Sequence, residues 1–461
     1  MSNQATKFSQ AATRIAFDMR HRQTIRFNIA KYDFAVNNGR QRYQSLALAK
    51  QQAAYLKRLV LANWDTYLCT FEAKATQNGI QVLWAKDSKE ATTYIQQILH
   101  DEKAHLLVKS KSMTTEEIML NECAEALGCE SLETDLGEFI VQLAGEKPYH
   151  IVTPAMHKSK EDVALLFAEK YQTPLQSTPE QLTNFVRELL RQKYTQADIG
   201  VTGANFLIAD IGGVALTENE GNGLMSTAFP KVHIVIAGIE KLIPSVNDLG
   251  LLWPLLAAHG TGQQITNYNT IFTGPRRKGE ADGPEKMIVI LLDNARTDLY
   301  ADAACSEALA CIRCGACLNA CPVYKTVGGY TYDTTYSGPI GSVITPFLKG
   351  FINFGHLSTA SSLCGACATV CPVLIPLPQL LLENRRKSVE KNLRPMAEKM
   401  LMQGFRLLSS SRMAYDIFPA ELKNLAFAPF NFILWGPKRK MPTFASKSFS
   451  QRYKQLNSYK K

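Results

Sequence analysis

The stretch "CIRCGACLNACPVY", residues 311–324, decides how the C-terminal half of this chain folds, because it holds four cysteines and the last precedes a proline. Its first three cysteines are separated by two residues each, so that a tight turn presents three sulfurs to one face of a metal–sulfur cube. Pro322 fixes the backbone and directs the chain away from that turn. This spacing is that of 4Fe-4S ligand runs, and it predicts one such cluster bound by the first three thiolates.

A second stretch, "SSLCGACATVCPVLIP" at residues 361–376, repeats the Cys-x2-Cys pair and the Cys-Pro ending. In two-cluster ferredoxins the cysteine before the proline ligates the neighbouring cluster, because it lies beyond reach of the cube bound by its own run. The same rule predicts two clusters with interleaved ligands in this chain. The first is predicted to bind Cys311, Cys314, Cys317 and Cys371, and the second Cys321, Cys364 and Cys367.

The second cluster has one coordination position without a predicted thiolate. Alignment of the two stretches on their Cys-Pro endings places Ser361 where a first cysteine would stand. Four alternatives remain open: the Ser361 oxygen, the Cys305 thiol, a ligand from outside the chain, or no ligand, which leaves 3Fe-4S. An alkoxide matches iron in a sulfur cage less well than a thiolate does, and a buried structural thiol is the expected role of Cys305.

Cysteine usage separates metal ligation from other roles. The chain has 11 cysteines, and eight of them fall between residues 305 and 371, which indicates metal binding rather than disulfides. Zinc is the alternative metal, since four-cysteine zinc sites also use paired Cys-x2-Cys motifs. Zinc explains neither the third cysteine of the first stretch nor the two Cys-Pro endings, so iron–sulfur clusters are favoured.

Upstream of the cysteines, short apolar segments alternate with helical patterns from about residue 79. Continuous apolar strands between helices predict a parallel-rich sheet that is covered on both faces. The predicted strands are "IQVLWA", "HLLVKS", "YHIVTP", "NFLIADI", "VHIVIAG" and "MIVILLD", and Thr114 or Thr115 is expected to start a helix. Residues 1–75 are predicted to be mostly helical, with one long packing helix over 40–71.

Residues 200–223, "GVTGANFLIADIGGVALTENEGNG", form a region rich in glycine and asparagine turns around two apolar runs. Such turns predict a tight hairpin, with a ligand-binding loop as the alternative. Neither GxGxxG after a strand nor GxxxxGK[ST] is present, so dinucleotide and P-loop binding are not indicated. Glu218 and Glu220 are candidates for acid–base or acyl chemistry, although glutamates in such turns are usually solvated.

The formal charge of +10 is concentrated at one end. Residues 381–461 hold 17 Lys+Arg and five Asp+Glu, a net charge of +12, which leaves −2 for the rest of the chain. A basic segment of this kind faces nucleic acid, an anionic membrane surface or an acidic partner. Phe418, Phe430, Phe432, Trp435 and Phe444 are interleaved without a recognised nucleic-acid motif, so a solvated tail or one that docks a partner subunit is predicted.

The N-terminus and the longest apolar runs are the places where a targeting or membrane-spanning segment would lie. The runs at 249–260 and 286–294 are much shorter than the roughly 20 residues that span a bilayer. The first residues carry charges throughout and lack the apolar core of a secretory signal. We therefore expect no transmembrane segment and a cytoplasmic location, with peripheral membrane contact left open.

The composition shifts predict four segments. They are an N-terminal helical segment at 1–75, an α/β domain at 76–297, a two-cluster 4Fe-4S domain at 298–390 and a basic helical and aromatic tail at 391–461.

Taken in order, "GVTGANFLIADIGGVALTENEGNG", "IAGIEKLIP", the two cysteine stretches and the basic tail resemble the lactate-utilization iron–sulfur protein B family. The resemblance covers essentially the whole chain. It implies a sugar-isomerase and CoA-transferase-like α/β fold joined to an α-helical, two-cluster ferredoxin-like domain. In that family the second cluster is likewise assigned to the positions of Cys321, Cys364 and Cys367.

The resemblance also implies a function. We expect an electron-transfer subunit in the oxidation of L-lactate to pyruvate, acting with two sister subunits and an electron acceptor rather than as a catalyst by itself. The alternative is that the α/β domain acts on a phosphorylated sugar or an acyl-CoA while the clusters sense redox state. A structural scaffold whose basic tail recruits partners is a third hypothesis.

Overall fold

The fold is described from a computed structural model, which covers residues 3–412, 419–429 and 442–458. The chain divides into two compact units, one reaching to Leu393 and the other starting at Arg394. Each is described by itself.

Four helices precede the first strand: α1 Asn3–Ala16, α2 Met19–Gln41, α3 Leu46–Ala62 and α4 Trp64–Gln77. The single helix predicted over 40–71 is wrong, because the chain breaks between α2 and α3 and again at Asn63. Ser45 starts α3 by accepting a hydrogen bond from the Leu48 N–H on its side chain, which satisfies one of the free N–H groups of a new helix.

Ten strands follow: β1 Gln81–Ala85, β2 Leu106–Lys109, β3 Glu130–Glu133, β4 Ile199–Thr202, β5 Phe206–Ile208, β6 Gly213–Glu218, β7 Val232–Gly238, β8 Leu242–Ile243, β9 Tyr268–Phe272 and β10 Lys286–Leu292. Six of them form an all-parallel sheet in the order β1-β10-β7-β4-β2-β3. The predicted parallel α/β domain is therefore confirmed.

Strand β7 shows why its sequence is apolar at almost every position. Ile234 and Ile236 belong to one buried cluster, whereas Val235 and Ala237 belong to another. Since successive side chains of a strand point to opposite faces, both faces of the sheet are covered.

The remaining strands form a smaller mixed sheet in the order β8-β5-β6-β9, which was not predicted. Within it β5 and β6 make an antiparallel hairpin with Leu207 opposite Val214, so the hairpin predicted in 200–223 is present. The strand predicted at "YHIVTP" is wrong. There the His150 side chain accepts hydrogen bonds from the backbone N–H groups of Val152 and Thr153, and a backbone satisfied locally does not need a strand partner.

Nine helices accompany the two sheets: α5 Ser88–Asp101, α6 Met113–Glu117, α7 Leu120–Glu125, α8 Leu136–Leu143, α9 Lys160–Tyr171, α10 Pro179–Gln196, α11 Asn222–Ala228, α12 Leu249–Gly260 and α13 Arg296–Ala301. The helix start expected at Thr114 or Thr115 lies at Ser112, whose hydroxyl accepts the Thr115 N–H. Met119, at φ +58°, separates α6 from α7.

The cysteine region adds α14 Ala316–Ala320, α15 Pro322–Val327, α16 Gly338–Lys349, α17 Phe351–Phe354, α18 Ala366–Val370 and α19 Leu377–Glu390. Its apolar side chains pack into the same core as the N-terminal helices and the smaller sheet. That core contains Ile25, Phe71, Leu207, Leu318 and Leu381. The division of this unit at residues 75/76 and 297/298 stays a prediction.

The second unit contains α20 Met396–Ser409, α21 Ala420–Phe427 and α22 Phe449–Ser458. Of the aromatic residues singled out in the basic tail, Phe418, Phe430, Phe432 and Trp435 lie outside the described residues. Throughout the described ranges, no helix has both the length and the apolar character needed to cross a membrane.

Candidate metal centre

The two cysteine stretches fold as a structural repeat. Helices α14 and α18 pack against each other, and each follows a glycine with positive φ, Gly315 at +77° and Gly365 at +84°. Two residues earlier, Arg313 and Leu363 also have positive φ, at +60° and +54°. The sequence repeat is therefore reproduced in the backbone.

The four cysteines predicted to bind the first cluster line one cavity: Cys311, Cys314, Cys317 and Cys371. Most other side chains around them are apolar, among them those of Ile151, Ile312, Ile340 and Val373. Two backbone N–H groups point at the sulfurs, from Arg313 to Cys311 Sγ at 3.4 Å and from Ile375 to Cys371 Sγ at 3.4 Å. Hydrogen bonds of this kind and burial set the potential of an iron–sulfur cluster.

The pKa values of these thiols indicate what the cavity can bind. Burial, reinforced by the neighbouring Cys311 and Cys314, raises the pKa of Cys317 well above its usual range. Burial also raises the pKa of Cys371. A thiolate forms in such a place when a metal ion replaces the proton, because ligation deprotonates the thiol. The residues present therefore fit a 4Fe-4S cluster.

The three cysteines predicted for the second cluster also lie together. Burial and the neighbouring Cys321 raise the pKa of Cys367 to about 11, and Cys364 contributes to the same shift. Cys364 differs from the other two because it is exposed, and hydrogen bonds from the Ala366 N–H and the Ser362 side chain lower its pKa. This set therefore reaches the protein surface at Cys364.

Ser361 occupies the place in the second stretch that Cys311 occupies in the first. The Leu363 N–H donates to Ser361 Oγ at 3.1 Å, just as the Arg313 N–H donates to Cys311 Sγ. The oxygen and the sulfur thus share one backbone environment.

Cys305, the other internal candidate for the open position, has a different environment. Its side chain is fully buried, and its thiol donates to Asn384 Oδ1 at 3.6 Å. Burial and the neighbouring Asp302 raise its pKa to about 12. These contacts are those of a structural thiol.

Comparison with known proteins adds the family. Residues 68–292 match the LUD domain, and residues 307–375 match the 4Fe-4S dicluster domain. Lactate utilization protein B of Bacillus velezensis is 44% identical over 370 residues, which are 80% of this chain and 78% of that protein. The chain belongs to the lactate utilization protein B family.

Two further proteins are similar to this chain. Lactate utilization protein B of Bacillus subtilis is 44% identical over 364 residues, 78% of this chain and 76% of that protein. A crystal structure of a duf162 family protein from Deinococcus radiodurans covers 50% of this chain and 98% of its own, at 13% identity and a TM-score of 0.29. As a member of the lactate utilization protein B family with a dicluster domain, this chain carries two 4Fe-4S clusters.

In this family member a buried ion-pair network fixes the first cysteine loop to the α/β domain. Arg313 Nη2 donates to Glu240 Oε1 at 3.1 Å, and Arg296 Nε donates to Glu240 Oε2 at 2.5 Å. Arg296 also makes two bonds of 2.9 Å to Glu117, which accepts the Tyr336 hydroxyl at 2.6 Å. Although burial alone would raise it, Arg296 and Arg313 hold the pKa of Glu240 at about 2. The network therefore stays ionised at neutral pH.

The N-terminal helices hold the cysteine region from the other side. Lys50 Nζ donates to the Thr369 carbonyl at 2.9 Å, and Arg58 pairs with Glu307 at 2.8 Å. The packing helix predicted for this segment indicated neither contact. Lys50 and Arg58 occupy positions that are typical of the solvated face of an amphipathic helix, so no local pattern indicates these contacts. Arg313, in contrast, lies inside the quoted motif and was passed over.

A second cavity, of about 360 Å³, extends from the first cysteine loop into the α/β domain. It is lined at one end by Arg313 and Cys314 and at the other by Asp135, Glu218 and Glu220. The glycine- and asparagine-rich stretch at 200–223 thus forms the predicted hairpin and also lines a cavity, while its alternative as a ligand-binding loop stays a prediction.

Both candidate glutamates cap helices. Glu218 accepts the N–H groups of Gly223 and Leu224 at the start of α11, at 2.6 and 2.9 Å. Glu220 accepts the Leu136 N–H at the start of α8, at 2.9 Å. Partial burial and the nearby Asp135 raise the pKa of Glu220 to about 7.

Proposed function

We propose that this chain relays electrons through its two clusters during the oxidation of L-lactate to pyruvate. The observation that supports this best is the pair of cysteine sets on one backbone repeat, in a chain of the lactate utilization protein B family. In the proposed assignment Cys311, Cys314, Cys317 and Cys371 ligate the first cluster, and Cys321, Cys364 and Cys367 ligate the second.

The number of electrons released by lactate oxidation determines how the two clusters take part. Oxidation of a 2-hydroxy acid to a 2-oxo acid releases two electrons and two protons, and each 4Fe-4S cluster, when bound, accepts one electron. The protein contributes apolar walls that exclude water from the first cluster and N–H groups that point at its ligand sulfurs. The exposed Cys364 makes the second cluster the one we expect to exchange electrons with a partner.

The proposal also covers the partners and the location of this chain. We infer a complex with sister subunits of a lactate-oxidising system in the cytoplasm, with an electron acceptor that receives the electrons from this chain. The excess of positive charge after residue 380 favours an acidic docking surface on one of those partners.

Anaerobic purification tests the cluster content. We expect brown protein with about eight iron atoms per chain, or about seven if the open position of the second cluster loses one. Colourless protein that contains zinc would contradict the proposal.

Reduction tests the function. L-Lactate is added to the anaerobic complex with its sister subunits, and cluster reduction is followed by electron paramagnetic resonance (EPR). We expect reduction with L-lactate and none when the sister subunits are omitted. Clusters that stay oxidised in the complete complex would refute the relay.

A second candidate function is catalysis by the α/β domain on a phosphorylated sugar or an acyl-CoA. It is favoured by the 360 Å³ cavity and by Glu220, which lies in it. Turnover of such a substrate that is lost in Glu220→Gln, with the iron content unchanged, would support it. Retained turnover would exclude Glu220 as the base.

A further inference from the structure

A cation, Lys241, lines the 360 Å³ cavity and makes no direct hydrogen bond to another described residue. Lys241 follows β7 in a short helical turn at Ile239–Lys241, and the residue is only 9% exposed. Among the described residues its ammonium makes no hydrogen bond and no ion pair within 4 Å, although it lines the cavity. Glu240 and Cys311 interact with this ammonium electrostatically without a direct bond, so its hydrogen-bond donors can bind an anion in the cavity.

Two further donors in the same cavity are unsatisfied. Arg313 uses Nη2 to bind Glu240, but its Nη1 is buried without a hydrogen-bond partner. Ser110 Oγ is also buried and unpartnered, in a residue that is 3% exposed. Buried polar groups are almost always hydrogen-bonded. These two unpaired donors can therefore bind an acceptor group of a ligand in the cavity.

The acidic residues of the cavity do not supply that acceptor. Glu218 and Glu220 accept backbone N–H groups at the starts of α11 and α8, and Asp135 accepts the Glu138 N–H at 3.1 Å. Each carboxylate is therefore engaged at a helix start. The cations and hydroxyl remain available, which favours an anionic ligand at the Lys241 end.

We propose that this cavity binds a small organic oxyanion, whose carboxylate or phosphate head lies against Lys241 and Arg313, beside the first cluster. The cavity volume lies within the roughly 300–1,000 Å³ of typical ligand sites. Because Cys314 and Arg313 line both this cavity and that of the first cluster, a bound anion lies next to the cluster loop. The site does not depend on the relay of electrons.

Calorimetry on the anaerobically purified full chain tests the proposal with four probes: L-lactate, pyruvate, inorganic phosphate and glucose 6-phosphate. We expect saturable binding of at least one probe, which distinguishes a carboxylate from a phosphate ligand. Lys241→Met is expected to weaken that binding about tenfold or more, as for loss of a charged hydrogen bond. Lys89→Met, which removes an exposed lysine, is the matched control and should bind normally.

A spectroscopic readout accompanies the titration. The ligand should change the EPR signal of the reduced first cluster in the unmodified protein and in Lys89→Met, but not at the same concentration in Lys241→Met. If Lys241→Met does not fold, Ser110→Ala removes an orphan donor without a charge change, and a several-fold loss of affinity is expected.

The outcomes are decisive. Absence of saturable binding by all four probes overturns the proposal, and so does equal affinity in Lys241→Met with intact clusters. Iron content and lactate-driven reduction are measured on the same samples, so a failed relay with intact anion binding counts against the proposed function alone.

Discussion

Among the four positions that hold cysteine in the first motif, only one holds a different side chain in the second. Ser361 Oγ receives the Leu363 N–H at 3.1 Å, in the position where Cys311 Sγ receives the Arg313 N–H. Ser361 Oγ is therefore one candidate for the fourth ligand of the second cluster, with oxygen in place of sulfur. We expect a Ser361→Cys exchange to change this atom and to leave the fold of the loop intact.

Ser361→Cys is therefore expected to give a second cluster with four thiolates that keeps its iron under mild oxidation. Ser361→Ala, the matched control, lacks any side-chain ligand and should convert more readily to 3Fe-4S, which has its own EPR signal. Iron content and EPR after timed air exposure measure both. Identical behaviour of Ser361→Ala and the unmodified protein would exclude oxygen ligation.

Cys371 and Cys305 are both buried cysteines, but they are predicted to differ in function. Cys371→Ala removes a thiolate from the first cavity, so we expect iron to fall from about eight to about four atoms per chain. Cys305→Ala removes the contacts of this thiol with Asn384 and Asp302 and should keep all of its iron. Measurement of the iron content of the two anaerobically purified variants distinguishes these two roles. Equal iron loss in both would assign Cys305 to a cluster.

At the scale of elements, strand β2 ends in a buried charge. Lys109 is 1% exposed, and its ammonium lies 2.7 Å from Glu116 and 2.5 Å from Glu133. A third carboxylate, that of the buried Glu138, lies close enough that the three carboxylates form one cluster. The Lys109 ammonium thus joins the end of α6 to the end of the edge strand β3.

Lys109→Met leaves these carboxylates without their cation, and we expect a loss of about 3 kcal/mol in unfolding free energy at pH 7. Burial already raises the pKa values of Glu133 and Glu138, and loss of the Lys109 charge raises them further. The loss should therefore shrink as the pH falls and the carboxylates protonate.

Lys193→Met is the control for Lys109→Met. It breaks a partly exposed pair with Glu130 and should cost less than about 1 kcal/mol. Urea unfolding at pH 7 and pH 5.5 measures both variants. Equal losses, or a loss in Lys109→Met that grows at low pH, would contradict the expectation.

At the scale of the whole molecule, all but one of the cysteines that are predicted to bind the clusters lie in or against the core that joins the first unit. The N-terminal helices, the smaller sheet and the cysteine region share one set of buried side chains, and Lys50 and Arg58 bond to the cysteine region directly. Cluster binding is therefore expected to stabilise this unit as a whole.

Removal of iron by an anaerobic chelator is expected to lower the unfolding temperature of the whole unit by about 5 °C or more, because metal binding contributes to folding. Circular dichroism follows the helices. The fluorescence of Trp64, in α4, follows the N-terminal segment in a variant whose other three tryptophans are replaced by phenylalanine. Both transitions should shift together. An unchanged fluorescence transition would mean that the N-terminal helices fold independently of the clusters.

Much of this organisation follows from local sequence. The alternation of apolar strands and helices predicts the parallel sheet, since a strand that is buried on both faces is apolar at nearly every position. The Cys-x2-Cys spacing likewise predicts which residues form the metal centre, because ligand reach is short along the chain. The predicted strand at "YHIVTP" fails because a single imidazole satisfies the backbone there, and apolar pattern does not report such a contact.

The sequence by itself predicted the interleaved cysteine sets and determined the α/β class, since the ligand spacing within each cysteine stretch and the apolar pattern of each strand are local. Tertiary structure alone brought Lys241 from the end of β7, Ser110 from the end of β2 and Arg313 from the first cysteine loop into one cavity. It also placed Lys50 and Arg58 against the cysteine region. These contacts join residues that lie far apart in the chain, so no local pattern encodes them, and only the packed core fixes their distances.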